Sequence, residues 1–181
     1  MDESRNQYLS LLSRTAQGDQ KAFAQLYEAT AGRLYAVSLQ MLQRRDWAED
    51  VVQEAFVRIW HNAGEYQAEK GTVLTWMISI ARYRALDMLR AAKSRRETSE
   101  DQAPEREDGQ TPELNLYQQR ERVEIDHCMD GLEGSQRQAI HMAYFLGLTH
   151  FEVCERLASP LGSVKTWIRR GLERLKRCLE A

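Results

Sequence analysis

Four polar side chains late in the chain have the chemistry to read duplex DNA. They lie in the first two turns of the last predicted helix, and we call them the basic edge: Lys165, Thr166, Arg169 and Arg170. Arginine can donate to both guanine O6 and N7, while lysine and threonine can reach base edges or phosphates. A solvated basic face on an ordinary bundle helix has the same spacing, so the surrounding elements must separate the two interpretations.

The elements before the basic edge favour DNA binding. Thr149 and Glu152 match a capping box at the start of a short helix over 150–158. A turn follows over 159–162, and Ser163 is predicted to begin the long last helix. The basic edge lies on the side of that helix opposite its apolar stripe. The stripe consists of Val164, Ile168, Leu172, Leu175 and Leu179. Short helix, turn and longer helix form a helix-turn-helix, whose second helix enters the major groove.

A second basic segment mixes cations with aromatic side chains. Residues 82–96 contain six Arg or Lys and one Asp, and Trp76 and Tyr83 lie on the same predicted helix. Cations can follow phosphates while rings stack on unpaired bases, so Tyr83 and Arg84 are candidates for contact with single-stranded or distorted DNA. Trp76 also suits a core position.

An acidic face marks the predicted helix over 46–60. We call it the acidic face, and it consists of Asp50, Gln53 and Glu54. The other side of this helix is a continuous apolar surface. The acidic face would repel DNA, and two interpretations stay open for it: a plain solvated surface, or a dock for a basic protein partner.

Helical periodicity extends through nearly all of the chain. In the first half it predicts three long helices, over 19–43, 46–60 and 72–95, with a loop over 61–71. Asp19 is a predicted N-cap, and Asp46 with Glu49 is a predicted capping box. In the second half, Ser135 is predicted to cap a helix that ends at Gly147.

An acidic segment separates the two helical parts. Residues 97–113 contain seven Asp or Glu and one Arg. Such a segment buries too little apolar surface to order itself, so 96–117 is predicted to be a flexible linker. The sequence therefore predicts an all-α fold of two small helical domains, at 1–95 and 118–181.

Composition excludes several classes of protein. Hydrophobic residues make up 43% of the 181, too many for a wholly disordered chain, and the net charge of −2 argues against a protein that coats nucleic acid unaided. No apolar run is long enough for membrane insertion. The first residues lack the pattern of a secretory signal, so a cytoplasmic location is expected.

The remaining reactive residues do not form recognisable sites. Cys128, Cys154 and Cys178 are too few for a disulfide scaffold, and fit a reducing cytosol. Cys128 and Cys178 lie near opposite ends of the second domain, so a thiol switch between them stays open. Metal-ligand spacings, phosphate loops and nucleophile elbows are lacking. We therefore predict no metal site, no cofactor and no enzyme activity.

Four segments, in order, resemble bacterial sigma-70 family RNA polymerase sigma factors, specifically the short extracytoplasmic-function (ECF) group. GDQKAFAQLYE resembles the opening helix of the family, and DWAEDVVQEAFVRIW its core-polymerase-binding helix. TWMISIARYRALDMLR resembles its promoter-melting helix. The stretch from LEGSQRQAIHMAY through the basic edge resembles its C-terminal DNA-reading domain.

The resemblance implies a division of labour between sigma region 2 at 1–95 and sigma region 4 at 118–181. Region 2 would bind core RNA polymerase through the acidic face, with the β′ coiled coil and the β subunit as partners. It would open the promoter −10 element near Trp76, Tyr83 and Arg84. Region 4 would read the −35 element with the basic edge. Family members are commonly held inactive by an anti-sigma factor, so we expect one here.

Two other classes of function remain compatible with the residues. An autonomous, dimeric helix-turn-helix regulator would bind a palindrome unaided. An interaction protein held by an anti-sigma partner would bind that partner without supporting transcription. Reconstitution with core polymerase separates both from a promoter-specificity subunit.

Overall fold

The computed structural model describes residues 2–98 and 126–179, and every regular element in these ranges is a helix. The chain forms two compact units, Met1–Leu114 and Asn115–Ala181, which we call the first and second units. The predicted all-α fold is confirmed. Most of the predicted linker at 96–117 lies outside the described residues. Among the described helices, none combines the length and apolar character that a bilayer span requires.

The first unit is a four-helix bundle. Two short 3₁₀ turns, Ala63–Glu65 and Ala68–Lys70, separate the third helix from the fourth. The helices are α1 (Asp2–Ala16), α2 (Gln20–Leu42), α3 (Arg45–Asn62) and α4 (Val73–Thr98). Its largest fully buried side chains include Leu12, Leu26, Leu34, Val51, Ile59 and Met77. Because each helix contributes to one core, α3 and α4 are held side by side with their polar faces outward.

Local capping explains where two of these helices begin. Asp19 caps α2 as predicted, accepting from the backbone N–H groups of Lys21 and Ala22 at 2.9 and 3.1 Å. The predicted capping box of Asp46 and Glu49 is wrong. Helix α3 begins one residue before Asp46, and the Asp46 carboxylate instead accepts from the Arg44 guanidinium at 2.5 Å. An acidic residue in the first turn still favours the helix through its dipole.

The second unit contains a helix-turn-helix. A helical segment at 126–130 (α5) is followed by α6 (Gly134–Ile140), which continues as a π turn through Phe145. Then come α7 (His150–Leu157) and α8 (Leu161–Leu179). The capping box of Thr149 and Glu152 at the start of α7 is confirmed.

Two predicted helix starts in the second unit are wrong. Ser135 lies inside α6, because the extended backbone of Glu133 already supplies the carbonyl that accepts from Arg137 N–H at 2.9 Å. Helix α8 begins at Leu161, before Ser163, since the Pro160 carbonyl accepts the first helical hydrogen bond from Val164 N–H at 3.1 Å.

Close packing fixes α8 against α6. Gly171 is buried in α8, and a β-carbon there would collide with Ile140 Cδ1 and lie 3.3 Å from Gln136 Cβ. A small core of Ala139, Ala143, Val153, Val164 and Ile168 joins α6, the π turn, α7 and α8. The backbone of α8 therefore lies almost directly on α6.

A disulfide joins Cys128 in α5 to Cys178 near the end of α8, with a Cα–Cα distance of 5.8 Å. Cys128 is buried and Cys178 is exposed. The pairing of Cys128 with Cys178, which the sequence left open, is observed, because packing of the helices at the two ends of the unit brings the cysteines together. Cys154 is a free, half-buried thiol.

Candidate nucleic-acid and protein interfaces

The basic edge lies on the solvent side of α8. Val164 and Ile168 are buried against the unit, whereas Lys165, Arg169 and Arg170 are exposed. Arg169 is 69% exposed and pairs loosely with Glu173 one turn later, at 3.5 Å. Exposed pairs of this kind contribute little, so the Arg169 guanidinium can leave Glu173 for a base or a phosphate at small cost.

Thr166 differs from the three cations of the basic edge. It is half-buried, and its hydroxyl donates to the Gly162 carbonyl at 2.8 Å. The hydroxyl oxygen and the methyl group are what it could offer to DNA. Thr166 and Arg170 are one turn apart, as are Lys165 and Arg169, so the four residues form two adjacent rows on one side of the helix.

The turn before α8 is rigidly built. Ala158 takes a left-handed conformation (φ 47°) at the end of α7, and Ser159 N–H donates back to the Cys154 carbonyl at 3.1 Å. Val153 of α7 is fully buried in the cluster that contains Val164 of α8. The two helices of the helix-turn-helix are therefore locked at their junction, and the basic edge is presented by a stiff support.

The structure divides the acidic face between two neighbours. All three residues are exposed on α3, while Val51 and Ala55 beside them are buried. Gln53 points toward α2, where it lines an apolar cleft. Glu54 points toward α4 and pairs with Arg84 there. Gln53 and Glu54 therefore belong to two distinct surfaces.

The apolar cleft was not found by sequence reasoning. Its volume is about 450 Å³, and it is lined by Phe23, Tyr27, Gln53, Phe56, Val57, Trp60 and His61. Tyr27 and Val57 are 43% and 58% exposed, although both are apolar or aromatic. The sequence signal was Val57, which interrupts the polar side of α3 one turn after Gln53. An open apolar cleft beside polar side chains is typical of a protein-binding site.

Arg84 and Glu54 form an ion pair between α4 and α3. Arg84 Nη2 donates to Glu54 Oε1 at 3.0 Å, and Arg84 Nε contacts the second carboxylate oxygen. Hydrogen bonding to Glu54, together with the charges of Asp87 and Asp50, raises the pKa of Arg84 above its ordinary value despite partial burial. Two residues predicted to contact different partners therefore contact each other.

Trp76 and Tyr83 differ in accessibility. Trp76 is half-buried and meets Tyr66 edge-on, with ring centroids 5.8 Å apart, and the Tyr66 hydroxyl donates to the Gly71 carbonyl at 2.8 Å. Tyr83 is 61% exposed on α4. The Arg82 guanidinium lies over its ring, 6.0 Å from the centroid, and the ring is otherwise largely accessible, whereas Trp76 mainly fixes the loop before α4.

Profiles of two protein families match the chain. Sigma-70 region 2 matches residues 26–95, and Sigma-70, region 4 matches residues 122–175. The ECF RNA polymerase sigma factor SigK of Mycobacterium ulcerans (strain Agy99) is 36% identical over 95% of this chain and 93% of its own. SigK of Mycobacterium tuberculosis (strain ATCC 25618 / H37Rv) is 34% identical over 94% of this chain and 92% of its own.

One solved structure is similar over nearly its whole length. The crystal structure of Rhodobacter sphaeroides SigE in complex with the anti-sigma ChrR is 26% identical to this chain, with a TM-score of 0.50. The similarity covers 96% of this chain and 98% of that one.

Proposed function

Because the chain belongs to the sigma-70 family of RNA polymerase sigma factors, in its ECF group, we propose that its two units recognise two promoter elements on behalf of core RNA polymerase. The first unit binds polymerase and opens the −10 element, and the second reads the −35 element as duplex. The protein catalyses no reaction of its own and acts in the cytoplasm, where the polymerase is.

The observation that carries this proposal is the exposure of the basic edge on the second helix of a helix-turn-helix. Lys165, Arg169 and Arg170 face solvent over two turns, while the opposite side of α8 is anchored in the core. This is the arrangement with which a recognition helix enters the major groove. Each bidentate arginine contact to guanine would discriminate against a wrong base by about 1–3 kcal/mol.

Polymerase binding is assigned to Asp50, Gln53 and the apolar cleft. Aromatic side chains inside the cleft, Gln53 on its lining and the exposed Asp50 carboxylate on the same helix match a partner helix that carries a basic residue beside an apolar one. The β′ coiled coil of core polymerase is the partner we propose for this surface, with further contacts to the β subunit. Val57→Asp should weaken polymerase binding without unfolding α3, since Val57 is 58% exposed.

Promoter opening is assigned to α4. The exposed Tyr83 ring can stack on an unpaired base, which typically contributes about 1–3 kcal/mol. Half-buried Trp76 supports the preceding loop. Tyr83→Ala should therefore slow opening of the −10 element without changing polymerase affinity.

We propose two forms of control. An anti-sigma factor restrains the protein by covering one or both of these surfaces, as the complex of the similar SigE with ChrR suggests. The disulfide between Cys128 and Cys178 is a redox-sensitive site in the second unit, because exposed Cys178 makes it accessible to reductants. Reduction would loosen the support of the basic edge.

Reconstitution tests the proposal. The protein is combined with core RNA polymerase and a library of promoter fragments, and transcripts are sequenced. We expect start sites that are absent with core polymerase alone and that share a −35 and a −10 element. Failure to direct any such start site, or tight binding to a palindrome in the absence of polymerase, would contradict the proposal.

A further inference from the structure

The ion pair between Glu54 and Arg84 changes the roles that sequence position suggests for both residues. The pair crosses from the polymerase-binding helix to the promoter-opening helix, and it engages both carboxylate oxygens. We call it the α3–α4 ion pair. We infer that Glu54 and Arg84 are positioning residues, which hold α4 at a fixed place on α3 rather than contacting polymerase and DNA themselves. This inference rests on the proposed function.

The surroundings of Arg84 make it a poor ligand for a phosphate. Its side chain is only 27% exposed, compared with 61% for the adjacent Tyr83 residue. Glu54 binds it directly, and Asp50 and Asp87 lie close enough to influence its charge. A phosphate would have to displace the Glu54 carboxylate and approach Asp50 and Asp87, although Asp87 also contacts Arg90 at 3.9 Å.

Glu54 is equally unsuited to a direct contact with polymerase. Oε1 of Glu54 accepts a charge-assisted hydrogen bond from Arg84 Nη2, and the second oxygen lies in contact with Nε of the same guanidinium. A basic residue of the polymerase would have to compete with a partner already in place. Asp50 and Gln53 carry no such pairing in the described contacts, so the direct polymerase contacts fall to them.

The location of the pair gives it a specific use. Arg84 immediately follows Tyr83, so a tether on Arg84 limits rotation and sliding of α4 at the point where the Tyr83 ring emerges. The other end of the tether is on α3, one residue after Gln53 of the apolar cleft. Polymerase seated on α3 would therefore hold Tyr83 at a set distance from the DNA.

A charge exchange tests this role. We would compare wild type, Glu54→Gln, Arg84→Gln and the exchanged double variant Glu54→Arg with Arg84→Glu, each as full-length protein. Arg5→Gln, which removes an exposed positive charge from α1, is the charge-matched control. Two quantities are measured: the affinity for core polymerase by fluorescence anisotropy, and the rate of −10 opening by 2-aminopurine fluorescence in the holoenzyme.

The expected result separates the two quantities. Arg84→Gln and Glu54→Gln should each slow opening about 10-fold while changing polymerase affinity less than about 3-fold, and the exchanged variant should recover most of the opening rate. Arg5→Gln should leave both quantities unchanged. The concentration of holoenzyme is kept saturating, so slower opening reports the assembled complex.

Three outcomes would overturn the inference. Opening that stays slow in the exchanged variant means that Arg84 contacts DNA directly. Polymerase affinity that falls equally in Glu54→Gln and in the exchanged variant means that Glu54 contacts polymerase directly. If the variants melt at a lower temperature, and the smaller folded fraction alone explains the changes in opening rate and polymerase affinity, the pair only stabilises the unit. Lack of promoter-dependent transcription by wild type would contradict the proposed function instead.

Discussion

Removing the disulfide of the second unit should destabilise that unit selectively. Cys128 and Cys178 are separated by 50 residues. In the chain-entropy description, closing a loop of this size in the unfolded state is worth about 4 kcal/mol at 25 °C. The unit spans Asn115–Ala181, and a core in a domain this small rarely supplies more than about 3–5 kcal/mol. Cys178→Ser should therefore bring the second unit close to its folding midpoint.

Amide hydrogen exchange with peptide-resolved mass spectrometry measures this on the full-length protein. Peptides of α6, α7 and α8 should lose protection equivalent to about 4 kcal/mol in Cys178→Ser, while peptides of α1 through α4 should keep theirs. Wild type in a reducing agent should behave like Cys178→Ser. The matched control is Cys154→Ser, which removes the free thiol of the same unit.

Two results would refute this reasoning. The first is a loss of protection in Cys178→Ser that is no larger than in Cys154→Ser. The second is a loss shared equally by the first unit. If the prediction holds, −35-dependent initiation should fall on reduction while polymerase binding by the first unit persists, and promoter-titrated transcription in oxidised and reduced buffers would measure that difference.

Three further perturbations test the packing, the basic edge and a helix cap. Gly171→Ala should destabilise the second unit by about 1–3 kcal/mol, because the added β-carbon collides with Ile140 Cδ1. Ile140→Val removes that atom, so it should stabilise the Gly171→Ala variant although it destabilises the wild type by about 0.5–1.5 kcal/mol. Hydrogen exchange measures both effects, and equal effects of Ile140→Val in the two backgrounds would contradict the geometry. Arg169→Ala should reduce −35-dependent initiation by the equivalent of about 1–3 kcal/mol. The wild-type protein should give less transcript from a promoter with a mutated −35 element than from the intact promoter, whereas Arg169→Ala should give equal amounts from both. Hydrogen bonds from Ala22 N–H and Arg14 lower the pKa of Asp19 below its ordinary value. The Asp19 carboxylate therefore stabilises the fold above its ordinary pKa, and this stabilisation is lost as the pH falls through the lowered folded-state pKa. Asp19→Asn should flatten this part of the acid-unfolding curve, and an unchanged curve would count against the cap.

Local sequence predicted α2, α3, α4 and the two helices of the helix-turn-helix, because helical periodicity and capping involve residues only three or four positions apart, whereas α1 (Asp2–Ala16) was not predicted. The helix predicted over 19–43 is observed as Gln20–Leu42, and the capping box of Thr149 and Glu152 is present. The predicted position of the basic edge on the outer side of the last helix follows from the same periodicity, since an apolar stripe at Val164 and Ile168 can face only the core.

The errors at helix starts have a common cause. Asp46 and Ser135 are good capping residues by type, yet both lie inside the helices that they were predicted to cap. In each case the preceding residue or residues supply a carbonyl in the right place, and the Asp46 side chain binds Arg44 instead. Propensity ranks candidates for a cap, but several neighbours compete and the backbone geometry selects among them.

By itself, the sequence determined an all-α chain with a helix-turn-helix near its end, and its motifs identified the family. Only the tertiary structure decided that Glu54 binds Arg84, that Gln53 borders an apolar cleft with Tyr27, and that Cys128 meets Cys178. These contacts join side chains from different helices. Periodicity specifies which face of each helix is buried, whereas the rotation and offset between helices depend on how all the side chains of the core pack together.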